Sequence, residues 1–113
     1  MRTIIAGGRD CENESVLEDA LNECGWVPTV VLCGMARGAD TLGMLWAERN
    51  EVPVEKYPAE WKKHGKIAGP IRNGEMANTG DALIALWDGK SRGTRDMIAK
   101  ARLKGLKIHI QRY

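Results

Sequence analysis

The sequence predicts an α/β domain, a parallel sheet of five strands with helices on both faces. Three observations lead there. Short apolar or β-branched runs alternate with longer stretches whose apolar residues recur every three or four positions, and the alternation is unbroken along the chain. The thirteen glycines, the one compositional excess, cluster in loops, several directly behind the strand-like runs. A length of 113 residues fits one domain, 1–113, with a real core and little room for a second.

Arg2 to Ala6 reads as the first strand, stopped by Gly7-Gly8. A helix entered from Cys11 or Asn13 follows, with Val16, Leu17, Ala20, Leu21 and Cys24 on one face and Gly25 as its stop. Pro28 excludes continuation, and Thr29 to Cys33 forms the second strand. The next helix spans about Ala39 to Asn50, with Leu42, Leu45 and Trp46 inward. Val52 to Tyr57 is the third strand, and Pro53 near its start marks an edge. Pro58 to Gly69 reads as an exposed, mobile loop. A helix opens at Pro70, placed at a first helical position, with Ile71, Met76 and Ala77 toward the sheet. Asp81 to Trp87 is the fourth strand and Thr94 to Lys104 the last helix. Gly105 ends that helix, and Leu106 to Ile110 is the fifth strand.

Composition narrows the function classes. A net charge of +2 is too small to imply nucleic acid or a membrane surface by itself. Cys11, Cys24 and Cys33 are odd in number and lack CxxC spacing, which argues for a reducing compartment and against a disulfide framework or zinc knuckle. Ile4-Ile5-Ala6 is too short for a signal peptide or a membrane span, so a cytoplasmic protein without membrane contact is expected. His64 and His109 lack metal-ligand spacing. Neither a metal nor a cofactor is expected.

With a strand order of 3-2-1-4-5, the order reverses between the first and fourth strands, where ligands bind in open α/β sheets. The loops at that edge are Gly7–Asp10, Gly34–Asp40, Pro58–Gly69 and Asp88–Gly93. The last joins a buried strand to a helix N-terminus, so its backbone N–H groups converge where the helix dipole favours an anion. Two familiar nucleotide motifs are missing. No GxGxxG follows the first strand, and Ile84, inside a strand, stands where a P-loop ending in Gly89-Lys90-Ser91 needs its first glycine.

GGRD after the first strand, CGMARGAD after the second, PAEWKKHGKIAGPIRNGEM, and ALWDGKSRGT before the last helix resemble the SLOG superfamily (Smf/DprA and LOG proteins). The closest likeness is its small YspA/YpsA-related branch of bacterial and phage proteins. The resemblance spans nearly the whole chain. It implies a three-layer Rossmann-like fold that binds nucleotides or nucleotide-derived ligands. The LOG proteins are phosphoribohydrolases with a PGGxGT loop, a Glu close behind it, and an Arg on the preceding helix. Here Ser91-Arg92-Gly93-Thr94 matches GxGT with Ser for the first Gly. Asp96 falls at the Glu position and Arg72 at the Arg position, which makes those two the candidate catalytic pair. Pro-Gly-Gly is absent and Asp is one methylene shorter than Glu, so the resemblance carries ligand binding further than hydrolysis.

The residues themselves suggest the same chemistry. The Gly89 to Thr94 backbone and the Ser91 and Thr94 hydroxyls can receive a phosphate, and Arg9, Arg37 and Arg72 can add forked, charge-assisted contacts. A carboxylate such as Asp96 near a ribose can bind its hydroxyls or stabilise an oxocarbenium-like transition state, with Asp10 and Asp40 as second candidates for the hydroxyls. Asp88 and Asn73 are further candidate ligand contacts, and Trp61 in a polar loop can stack on a base. Gly7, Gly8, Gly34, Gly38 and Gly93 let the backbone approach the ligand. Plainer roles compete: Arg37 can pair with Asp40 across their turn, Asp10 can cap the first helix, and Asp96 suits the dipole of the last. The expected function is a nucleotide-binding sensor or processing domain. A phosphoribohydrolase is the alternative, and a DprA-like nucleic-acid module has the weakest support because the basic residues do not share one face. A dimer completing a shallow crevice, as in related LOG proteins, is a further expectation.

Overall fold

The structure, a computed structural model, describes residues 1–113. Five parallel strands, β1 (Arg2–Gly7), β2 (Val30–Cys33), β3 (Val54–Lys56), β4 (Ala82–Trp87) and β5 (Lys107–Arg112), form one sheet in the order β3-β2-β1-β4-β5. Helices α1 (Glu14–Glu23) and α2 (Ala39–Arg49) cover one face; α4 (Ala68–Thr79) and α5 (Arg92–Leu103) cover the other. The fold is Rossmann-like.

The two-residue period of the strands builds both cores at once. Ile5, Val31, Ile84 and Leu86 point to Leu17, Ala20, Leu42 and Ala47 of α1 and α2. Ile4, Ala6, Leu32, Leu83 and Ala85 point to Met76, Ala77, Met97, Ile98 and Ala101 of α4 and α5. Ala82 through Leu86 are wholly buried because β4 lies between β1 and β5 and is covered on both faces. That is why its sequence is an unbroken apolar run rather than an alternation. Leu83, Ile84 and Leu86 each contribute about 1.5–3 kcal/mol by leaving water.

Several boundaries differ from the sequence reading, each for a local reason. Of the two proposed entries to α1, Asn13 is the cap: its Oδ1 accepts from the Ser15 N–H at 3.0 Å, whereas Cys11 packs into the core. β3 is confined to three residues at the sheet edge, because Pro53 has no N–H to offer and contributes only its carbonyl, to Val31 N at 2.9 Å. Pro58–Gly69 is not a plain loop. It holds a short helix α3 (Trp61–His64) and a 3₁₀ turn over Gly65–Ile67, and α4 begins at Ala68, two residues before Pro70. A helix leaves its first four N–H groups unpaired, so a proline at the third position breaks no bond. α5 likewise begins two residues before Thr94, with Ser91 as its cap. β5 runs on to Arg112, paired with β4 through Trp87.

Candidate ligand cleft

The carboxyl ends of β1 and β4 are locked together before any side chain is considered. Gly8 N–H donates to the Leu86 carbonyl at 3.1 Å, and the Gly8 carbonyl accepts from Cys11 N at 3.2 Å and Ala39 N at 3.1 Å. One residue thereby joins β1, β4, the β1–α1 loop and the start of α2. Two glycines make this approach possible. A Cβ on Gly7 would lie 2.9 Å from the Ala39 methyl, and one on Gly38, whose φ is +74°, would collide with the Gly8 and Arg9 carbonyls.

Beside this junction lies a cavity of about 460 Å³. Its floor is apolar, made by Ala6, Met76 and Met97. Gly7, Gly8, Arg9 and Asp10 form one wall, and Asp88, Ser91, Gly93 and Thr94 another. Arg72 and Asn73 approach from α4, Asp40 from α2, and Trp61, 51% exposed, stands at the rim. Twelve of the sequence-selected residues therefore line one space. Gly34 and Arg37 instead line an adjoining cavity of about 370 Å³. Gly38 and Gly89 shape the backbone and line neither: Gly89, with φ +85°, lies against the Arg112 guanidinium.

The β4–α5 loop is built by side chains acting on its own backbone. Asp88 Oδ1 accepts from Lys90 N and Ser91 N, both at 2.8 Å, and these N–H groups hold its carboxyl below the usual range. Ser91 Oγ accepts from Thr94 N at 3.4 Å and from the Thr94 hydroxyl at 3.1 Å. The Gly93 N–H lies in the first turn of α5, without an intrahelical partner. Nothing lies within 4 Å of where a Gly93 Cβ would project.

Across the cleft a connected set of polar groups ties α4 to α5. Arg72 Nη1 donates to the Gly34 carbonyl and its Nε to Asn73 Oδ1 at 3.1 Å. The buried Asn73 donates from Nδ2 to Asp96 Oδ2 at 3.0 Å and to the Gly93 carbonyl at 3.3 Å. Both Asp96 oxygens accept from Lys100 Nζ, at 2.7 and 2.8 Å, and Lys100 also reaches the Pro70 carbonyl at 3.0 Å. Asp96 does not line the cavity. The carboxylate is engaged by Lys100 and Asn73, and Arg72 lines the cavity without it.

The remaining carboxylates differ in environment. Asp40 is buried at 5% exposure; burial raises its pKa against the opposing pull of the Ala36 N–H, at 3.1 Å from Oδ2, and of Arg72 and Arg9. It makes no ion pair with Arg37. Asp10 does not cap α1 but accepts from the Tyr113 hydroxyl at 2.7 Å. Burial, then this carboxylate, holds the phenol proton more tightly. Sequence reasoning missed Tyr113, Met76, Met97 and the Lys100 tie. Tyr113 acts across 103 positions, and the methionines read only as core.

No three His, Cys, Asp or Glu side chains come together as metal ligands, and all three cysteines are free and buried. No helix is long and apolar enough to cross a membrane.

Fold and cleft together define a doubly wound α/β domain with a ligand-sized cavity at its topological switch point. The family model described as "YspA, cpYpsA-related SLOG family" matches residues 1–64. The Gene 61 protein of Mycobacterium phage D29 is 37% identical over 116 residues, covering 95% of this chain and 93% of that protein. No solved structure gives a significant match. The chain belongs to the YspA, cpYpsA-related SLOG family.

Proposed function

We propose that the cleft binds a nucleotide or nucleotide-derived small molecule, with a phosphate on the Ser91–Thr94 turn, in a cytoplasmic sensor or processing domain. One observation carries the reading: the capped N-terminus of α5 opens onto a 460 Å³ cavity that Arg9 and Arg72 also line. Unpaired N–H groups, the helix dipole and two guanidiniums act on one anion there. The cavity has the size usual for small-molecule sites, and its apolar floor with Trp61 at the rim suits a base and sugar. Asp40 and Asp10 supply acceptors for sugar hydroxyls.

The test is thermal unfolding with nucleoside mono- and diphosphates, together with mass spectrometry of ligand carried through purification. A ligand at about one hundred times its Kd stabilises by about 2.7 kcal/mol, or roughly 10 °C for a chain of this length. Absence of any shift across the four bases, with no co-purified nucleotide, refutes the reading. The same incubations read for free base examine N-glycosidic cleavage through Arg72 and Asp96. Because Lys100 and Asn73 occupy the Asp96 carboxylate, binding without base release is the expected outcome. Self-association belongs to the same proposal, since the cleft mouth is open at Trp61; size-exclusion chromatography with and without nucleotide reads it out.

A further inference from the structure

We propose that the ligand carries two separated anionic groups, the second received by Arg9, Arg37 and Arg72 in the adjoining cavity; this rests on the nucleotide reading above. The two cavities share Arg9, Ala36, Trp61 and Arg72, so they are lobes of one concave surface. Their charge differs sharply. The larger lobe contains the carboxylates of Asp10, Asp40 and Asp88, whereas the lobe of about 370 Å³ contains three arginines and no acidic residue. None of the five salt bridges of the protein uses Arg9 or Arg37. Arg9 and Arg72 also act on the buried Asp40, whereas Arg37 faces the same space with no acidic partner, and a bound anion supplies the counter-charge that this lobe lacks.

The backbone here is also held in a costly conformation. Met35, in the wall of the smaller lobe, has φ +62°, which a side chain with a Cβ rarely adopts. The turn is fixed around it by Met35 N to Cys33 Sγ at 3.4 Å and Ala36 N to Asp40 Oδ2 at 3.1 Å. Strain kept in place by its surroundings is a property of sites that must present groups in one geometry. Arg72 is held at the boundary by the Gly34 carbonyl and Asn73, with its planar head between the lobes. A mononucleotide whose phosphate on Ser91–Thr94 draws on Arg9 and Arg72 leaves Arg37 uncompensated. A nucleotide with a second phosphate, either on the sugar or across a further nucleotide, fills both lobes. Trp61, lining each lobe, is placed to stack on the part between them.

The experiment is isothermal titration of the full chain with adenosine and guanosine 5′-monophosphates, the corresponding 3′,5′-bisphosphates, and 5′-phosphorylated dinucleotides. The expected result is that one of the two-phosphate classes binds about tenfold or more tighter than its monophosphate, the gain typical of an added hydrogen bond to a charged group. Arg37→Gln, an exposed substitution that leaves the core untouched, should bring that ratio back near one. Which class gains separates the sugar phosphate from the dinucleotide source. Monophosphate binding with no gain in either class, or an Arg37→Gln loss equal for mono- and bisphosphate, overturns the two-ended ligand and leaves the nucleotide reading standing. No binding of any probe overturns both.

Discussion

Replacing Asp96 with Ala tests whether this carboxylate is a strut or a reactive group. The substitution removes a pair whose side chains are 30% and 34% exposed, worth about 0.5 kcal/mol at i,i+4 on a helix. It also leaves Nδ2 of the buried Asn73 with only the Gly93 carbonyl at 3.3 Å, a loss of roughly 1–2 kcal/mol. Together these come to about 2 kcal/mol, which lowers Tm by roughly 8 °C in a domain of this size. Asp96→Asn keeps an acceptor for Asn73 and should cost only about 2 °C. Lys100→Ala, which breaks the ion pair but leaves Asn73 bonded, should fall near the Asn variant. Thermal unfolding followed by circular dichroism without ligand reads all three. Equal losses for Ala and Asn, or an Ala variant within about 2 °C of the parent, refute the account in which Asn73 is the group that Asp96 supports.

Gly93→Ala and Gly38→Ala should part company: the first adds a methyl in open space on a helix and stabilises by about 0.5–1 kcal/mol while weakening nucleotide binding, measured by urea denaturation and titration. Gly38→Ala forces a Cβ against two carbonyls at φ +74° and should cost more than about 2 kcal/mol, read from the same urea midpoints. Because burial raises the Asp40 pKa above 3.8, its contribution to stability is fullest below that value and declines as pH rises through the native pKa. Asp40→Asn should therefore gain in urea midpoint relative to the parent between pH 4 and pH 7, and a constant difference across that range refutes the burial account. Asp88 runs the other way, since its pKa is lowered by the Ser91 and Lys90 N–H groups. Its stabilisation is present above the unfolded pKa and lost as pH falls through the native one, so Asp88→Ala should flatten the acid limb of the stability curve.

How far the sequence could be read depended on whether a residue acts through its neighbours in the chain or across the fold. Ala82–Trp87 is legible because burial on both faces demands an apolar run, whereas the order 3-2-1-4-5 is supplied by the common doubly wound pattern rather than by any residue, and the sheet has that order. Helix starts at Pro70 and Thr94 were placed two residues late, since proline fits several positions of a first turn and Ser91, not Thr94, makes the cap. α3 carries no buried residue, so it leaves no apolar stripe to find. Asp96 lies where a family motif would put a reactive acid, but its partner Asn73 is 23 positions away and invisible to spacing. Gly38 and Gly89 stand in the right loops, yet their work is conformational, which sequence cannot separate from lining a cavity.

The position of β1 has a consequence for how the protein is made. Among the strands of this sheet the one made earliest is the central one, and one of its two hydrogen-bonding edges belongs to β4. Until residues 82–87 are made, β1 lacks the strand that pairs its second edge, and the second core lacks β4 and α5. Such an edge is a template for pairing with another chain. Residues 1–64, which match the family model, hold β1, β2 and β3 but neither β4 nor the helices of the second core. An open edge of that kind is expected to expose the growing chain to aggregation until the C-terminal half covers β1.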